Sequence, residues 1–149
     1  MNLDFGLDAI EALGAEEGEV LAPEAQEATY RRVRAQLEAG SFAEAVDDAF
    51  RLVHSNPWER AYHLALAYCL QHLEQHESAG RFYALAFMLD ATDALCAYRM
   101  GECLGAMEQL PEAREAFEAS VKLSWLDRGH AEVRREAELR LAELDALAA

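Results

Sequence analysis

GECLGAMEQLPEAREAFEASVKL, residues 101–123, alternates small and bulky side chains with a regularity that helix propensity alone does not require. Moved back so that Ala113 falls on Ala79, the pattern recurs, and a second equal step carries it to Ala45. In the same register Phe117 falls on Tyr83 and Ala49, and Leu110 on His76 and Phe42. Met100, Gly101 and Leu104 fall on Leu66, Ala67 and Leu70, and no insertion or deletion interrupts the copies. A period of about 34 residues, with a large–small–large pattern and then Ala and an aromatic four positions apart, is the signature of the tetratricopeptide helix–turn–helix repeat. The first copy is the most divergent, because Arg32 and Val33 replace its large–small pair; its second helix, Ala45 to Val53, keeps the pattern.

The small residues have a packing reason. Two helices approach closely only where one presents Gly or Ala and the other fills the gap with a bulky side chain. Gly101, Ala113, Ala67, Ala79 and Ala45 are the expected crossings.

Local signals set the helix ends. Pro23 suits a first helical position and Gly40 a stop, which gives a helix over 23–39. Asn56-Pro57-Trp58-Glu59 reads as an N-cap, a proline at N1 and a capping-box glutamate. Pro111 fits a first turn, where its missing N–H costs little. The expected pairs are 23–39/42–55, 58–73/76–90 and 93–107/111–123. After them Val133, Ala137, Leu141 and Leu144 form an apolar stripe, with Glu136 and Arg140 as an i,i+4 pair on the other side. That last helix should cover the exposed end of the third repeat.

The predicted fold is therefore all-α, a tetratricopeptide-repeat superhelix of three helix pairs plus a C-terminal capping helix. Residues 1–22 form an N-terminal segment, with a short amphipathic helix carrying Leu3, Leu7 and Ile10 and a linker. Residues 23–149 form the repeat domain, with repeats at about 26–59, 60–93 and 94–127 and the capping helix over 129–147.

Composition narrows the function. The chain has 149 residues, 52% of them apolar, and a formal charge of −15. A protein with pI near 4.6 is repelled by phosphates, so a nucleic-acid partner is not expected. From Met1 to Tyr30 the chain holds eight acids and no Lys or Arg. Cys69, Cys96 and Cys103 show no Cys-x-x-Cys spacing and fit a reducing compartment. No apolar run reaches the roughly 18 residues a bilayer span needs, and the N-terminus lacks a cationic leader, so the expected location is cytoplasmic, with no membrane partner.

No catalytic or cofactor signature appears: there is no nucleophile elbow, Gly-rich phosphate loop or H-E-x-x-H. His72 and His76 have metal-pair spacing, but the repeat places one at the end of a helix and the other at the start of the next, so no metal site is expected. Cys96 and Cys103 read as core thiols, and Trp58, Phe82, Phe87 and Trp125 as packing residues. Neither enzyme activity nor a cofactor is predicted.

The first helix of each pair lines the inside of such a stack. Its inward positions are Tyr30, Arg34 and Leu37 in copy one, Leu64, Tyr68 and Gln71 in copy two, and Leu95, Tyr98 and Glu102 in copy three. Tyrosines among aliphatic neighbours suit an extended peptide with apolar anchors, while the plainer reading is that Tyr68 and Tyr98 fill space between helices.

HSNPWERAYHLALAYC, SAGRFYALAFMLDAT, AYRMGECLGAMEQLPEAREAFEASVKLSW and the helix after them resemble the class II chaperones of bacterial type III secretion, the SycD/LcrH/IpgC type, over residues 24 to 145. The details look closest to the SscB-like branch. The resemblance implies a chaperone of the bacterial cytoplasm that holds an extended segment of a hydrophobic secreted translocator or effector in its groove. It implies groove roles for Tyr30, Leu64, Tyr68, Leu95 and Tyr98, and a homodimer formed through the N-terminal segment with Leu3, Leu7 and Ile10. The alternative is a generic tetratricopeptide adaptor joining two proteins.

Overall fold

Seven α-helices and one 3-10 turn account for the regular structure from Pro23 onward in the computed structural model, which describes residue 10 and residues 20–149. They are α1 Pro23–Glu38, α2 Phe42–Ser55, α3 Arg60–His72, α4 His76–Leu89, α5 Ala94–Ala106, α6 Leu110–Ser124, the 3-10 turn Arg128–His130 and α7 Ala131–Ala148. No strand occurs among the described residues. The second helix of each pair begins at Phe42, His76 and Leu110, equal steps of one repeat. α3 and α5 keep the same spacing, Arg60 to Ala94.

The repeat is written into the backbone at the turn inside each pair. Gly40, Glu74 and Glu108 all adopt left-handed φ angles, of 75°, 61° and 60°. Around them the hydrogen bonds repeat: Ser41 N–H to Gln36 O at 2.8 Å, Gln75 N–H to Leu70 O at 2.8 Å, and Gln109 N–H to Leu104 O at 3.0 Å. These local closures, each spanning five residues, satisfy carbonyls of the last helical turn, as in a Schellman motif. Glycine adopts this conformation freely, whereas an L side chain costs about 1–2 kcal/mol there, so two of the three turns carry strain.

The start of α3 corrects the expected cap. Asn56 N–H closes α2 on Leu52 O at 3.0 Å, and Asn56 O accepts from Glu59 N–H at 3.1 Å, so Asn56 to Glu59 is a turn and no capping box forms. The carbonyl of Pro57 is held by His63 Nε2–H at 2.6 Å, which fixes that turn against α3. Glu59 is the N-cap, its carboxylate accepting from Ala61 N–H at 3.4 Å. Asp93 does the same for α5, accepting from Cys96 N–H at 3.0 Å.

The chain divides into two compact units, residues 1–89 and 90–149. In the first, α1 packs on α2, α2 on α3 and α3 on α4, and α1 also touches α3. Ala45, Ala67 and Ala79 are fully buried there, with Leu52, Leu66, Val33 and Tyr83 around them. Of the expected N-terminal helix, Leu3 and Leu7 lie outside the described residues. Ile10 is helical and fully buried within its own chain.

In the second unit α5 packs on α6, α6 on α7, and α7 reaches back to α5. Gly101 is a true crossing point: a Cβ there would stand 2.6 Å from the Phe117 ring. Val133, Leu141 and Leu144 of α7 pack with Ala137 against Tyr98, Ala113 and Phe117, which is the expected cap. α7 does not carry the repeat pattern: one repeat beyond Met100, Gly101 and Leu104 stand Arg134, Arg135 and Glu138.

Three expectations change. Arg140 pairs with Glu102 and Glu143, each at 3.5 Å, rather than with Glu136, because the first lies across on α5. Trp58 and Trp125 are not packing residues: they are 48% and 71% exposed, since both stand in turns rather than on a helix face. Phe82 and Phe87 are partly buried, Phe82 meeting Phe50 edge-on at 5.9 Å.

Candidate functional site

The inward positions of α1 and α3 lie in the first unit, on two helices that touch each other. The Tyr30 ring is partly buried, 5.4 Å from that of Tyr62 on α3, and Arg34 is exposed with its guanidinium 6.0 Å from the Tyr30 ring centre. Leu37 and Leu64 are each half-buried. Tyr68 is half-buried too, 5.8 Å from Phe42 and 4.3 Å from His72. Phe42 and His72 stack at 4.2 Å, and His72 Nδ1–H donates to Tyr68 O at 3.0 Å, which fixes the imidazole at the helix end. Gln71 is held from behind, its Oε1 accepting from the Tyr83 hydroxyl at 2.7 Å.

The outcome is a face of half-buried aromatic and aliphatic side chains with polar groups at its edges. Rings fixed by their neighbours lose little freedom when a ligand covers them, so such a face suits apolar anchors of an extended peptide. Two of its members were not expected from sequence: Phe42 opens a second helix, and His72 draws attention first as half of a metal pair. Tyr62, which backs the Tyr30 ring, is 8% exposed and belongs to the core as Tyr98 does; it is out of step with the repeat, whose register carries Tyr30 onto Leu64. Burial raises the Tyr62 hydroxyl pKa, helped by Glu59, Tyr30 and Glu27, so Tyr62 stays neutral.

The second unit treats its inward positions differently. Leu95 is 43% exposed on α5. Tyr98, expected as a groove residue, is 7% exposed and belongs to the core, its ring 5.6 Å from that of Phe117. Its hydroxyl accepts from Arg140 Nε of α7 at 3.4 Å. Glu102 accepts from Arg99 at 2.8 Å and Arg140 at 3.5 Å, so the carboxylate is neutralised within the unit. The hydrogen bond to the Tyr98 hydroxyl raises the Arg140 pKa above its usual value, burial opposing and Glu102 and Glu143 adding smaller contributions. The capping helix has claimed what the repeat register assigns to a ligand.

Among the described residues no three His, Cys, Asp or Glu side chains converge as a metal site. Cys69, Cys96 and Cys103 are buried and form no disulfide. Desolvation pushes the thiols of Cys69 and Cys103 up to about 11, far from the thiolate a nucleophile needs. Among the described residues no helix is long and apolar enough to cross a membrane.

Comparison with known proteins places this geometry. No family model matches the chain, and no curated protein matches it. Solved structures do. PcrH of Pseudomonas aeruginosa, in complex with the chaperone binding region of PopD, is 22% identical, with a TM-score of 0.82 over 87% of this chain and 97% of that one. A type III secretion complex from Aeromonas hydrophila is 24% identical, with a TM-score of 0.82 over 95% and 97%. The translocator chaperone SycD of Yersinia enterocolitica is 17% identical, with a TM-score of 0.81 over 89% and 97%. The fold is that of the tetratricopeptide-type secretion chaperones.

Proposed function

We propose that this chain is a cytoplasmic chaperone of a bacterial type III secretion system, of class II and of the SscB-like branch. It binds an extended segment of a secreted translocator or effector and keeps it soluble until export. The observation that carries this reading is the α1/α3 face, where Tyr30, Leu64 and Tyr68 stand half-buried and the two tyrosines are held by neighbouring rings. The same fold has been solved with bound client segments: PcrH with the chaperone binding region of PopD, and SycD with a peptide of the translocator YopD.

Masking the membrane-seeking segments of a client requires contact area and no chemistry. The repeat region, residues 23–149, is the binding domain in this reading. Apolar anchors occupy the α1/α3 face, and on α5 Leu95 is the exposed apolar contact. The segment before it supports a homodimer through Leu3 and Leu7. Mass measurement with and without residues 1–21 tests that: loss of the dimer on truncation is expected.

Co-expression tests the main claim. A membrane-active product of a neighbouring gene should become soluble only with this chain, and Tyr68→Ala should reduce the amount recovered while leaving the helical circular dichroism unchanged. Equal recovery with the variant would remove the α1/α3 face from the account and favour a generic adaptor.

A further inference from the structure

Between α6 and α7 the charge balance of the chain reverses. Residues 122–135, KLSWLDRGHAEVRR, carry four cations (Lys122, Arg128, Arg134, Arg135) and two carboxylates (Asp127, Glu132), in a chain with 28 acids and 13 bases. Asp127 is engaged locally, its carboxylate accepting from Gly129 N–H at 2.8 Å to start the 3-10 turn. Elsewhere Arg32, Arg99, Arg114 and Arg140 pair with carboxylates. Among the described residues none of the four cations in this stretch has a carboxylate within ion-pair distance.

In the middle of these cations stand Trp125 and Leu126, 71% and 67% exposed. They are displayed by a fixed turn: Trp125 N–H donates to Lys122 O at 3.4 Å and Leu126 N–H to Leu123 O at 3.0 Å. The Arg134 guanidinium lies 3.5 Å from the centre of the indole, so the ring is held in place by a cation and still open to solvent. Stacking of this kind settles the side-chain rotamers before any partner arrives. Trp and Arg are the residue types that most often dominate interface energies, and adjacent exposed apolar side chains mark interaction sites.

We propose that the Trp125–Leu126 turn is a docking surface for an acidic protein segment carrying apolar side chains, distinct in role from the α1/α3 face. Charge decides among the occupants. A symmetric contact with a second copy would set unpaired cations against one another. An anionic bilayer, being broad and flat, would meet the rest of a chain whose net charge is −15. A narrow acidic segment matches the patch alone, its carboxylates taking the unpaired cations and its apolar side chains covering the indole and Leu126.

The test uses the full chain with Trp58→Phe, which leaves Trp125 as its sole indole, since the sequence has two tryptophans. The probe is a short fluorescently labelled amphipathic peptide of Glu, Asp and Leu; the control replaces its acids by Gln and Asn. We expect saturable binding with a blue shift of indole emission, and binding weakened at least about tenfold by 0.5 M salt, the scale on which screening removes exposed charge pairs. Trp125→Ala, read by anisotropy of the label, and separately Arg134→Glu with Arg135→Glu, should each weaken binding at least about tenfold, the loss typical of an interface anchor. Absence of saturable binding, equal binding of the uncharged control, or unaltered binding by Trp125→Ala would overturn the proposal. So would stronger Trp125-dependent binding to phosphatidylglycerol vesicles than to the peptide, which would assign the patch to membranes.

Discussion

Tyr68 and Tyr98 stand on the first helices of successive repeats, and both qualify as ligand contacts by sequence position. Their surroundings separate them. Tyr68 is half-buried in the first unit beside Phe42 and His72, while Tyr98 is 7% exposed in the second, packed on Phe117 and bonded to Arg140. The repeat register fixes which helix face a residue occupies, and the helix that packs against that face fixes whether a ligand can reach it. In the second unit that helix is α7, whose Val133, Leu141 and Leu144 complete the core around Tyr98.

Truncating the two tyrosines should separate these roles most sharply. Tyr98→Ala removes a core ring and the acceptor of Arg140, and we expect a stability loss of about 3–5 kcal/mol in urea unfolding. Tyr68→Ala should cost about 1 kcal/mol or less, as for a partly exposed side chain, while weakening client binding. Equal losses for the two would erase the distinction.

The crossings differ in the same way. The first unit accepts Ala67 where the second requires Gly101, because Phe117 fills the space a Cβ would need. Gly101→Ala should cost about 1–3 kcal/mol through overpacking, and Phe117→Leu should recover part of that loss. If Gly101→Ala proved neutral, the close packing of α5 on α6 would be wrong.

Proton linkage should distinguish the units as well. One repeat before the buried Ala97 stands His63, fully buried, its Nε2–H donating to Pro57 O. Burial lowers its pKa from 6.5, the Pro57 carbonyl opposing in part. Below that usual value the unfolded chain binds a proton that the folded one refuses, so stability is intact above it and falls as pH drops through the lowered folded pKa. His63→Gln keeps a donor for Pro57 without the titration. Urea midpoints of the parent should fall more steeply than those of the variant between about pH 6.5 and 5, a window starting at the ordinary histidine value.

The smallest effect concerns a feature both units share. Glu74→Gly and Glu108→Gly relieve left-handed strain and should each raise stability by about 0.5–1 kcal/mol, part of the relief being offset by glycine entropy. A loss in either variant would mean that the glutamate side chain contributes more than its backbone costs.

Sequence carried the architecture far because the repeat is a packing rule expressed in side-chain volume. The starts of α2, α4 and α6 and the small residues at the crossings follow from it. It carried less at positions decided by neighbours distant in sequence. Glu74 and Glu108 could not be recognised as left-handed, since propensity argues against them and the hydrogen bonds that hold them appear only in the folded turn. Asn56-Pro57-Trp58-Glu59 has the residues of a capping box, but the Asn56 backbone is engaged in ending α2 and shaping the turn before α3. Register and resemblance both put Tyr98 in the groove, and neither counts the Phe117 ring and the Arg140 guanidinium that α6 and α7 bring over it. Trp125 was assigned to the core by residue type, although it lies just past the end of α6.

The central claim, that clients bind the α1/α3 face, is tested most directly by site-specific photocrosslinking during co-expression with the secreted partner. Benzoylphenylalanine would be placed at Tyr68 in one chain and at Phe50, which is 45% exposed on the second helix α2, in another. The account predicts a crosslink to the client from position 68 and none from position 50. A crosslink from 50 with none from 68 would contradict it.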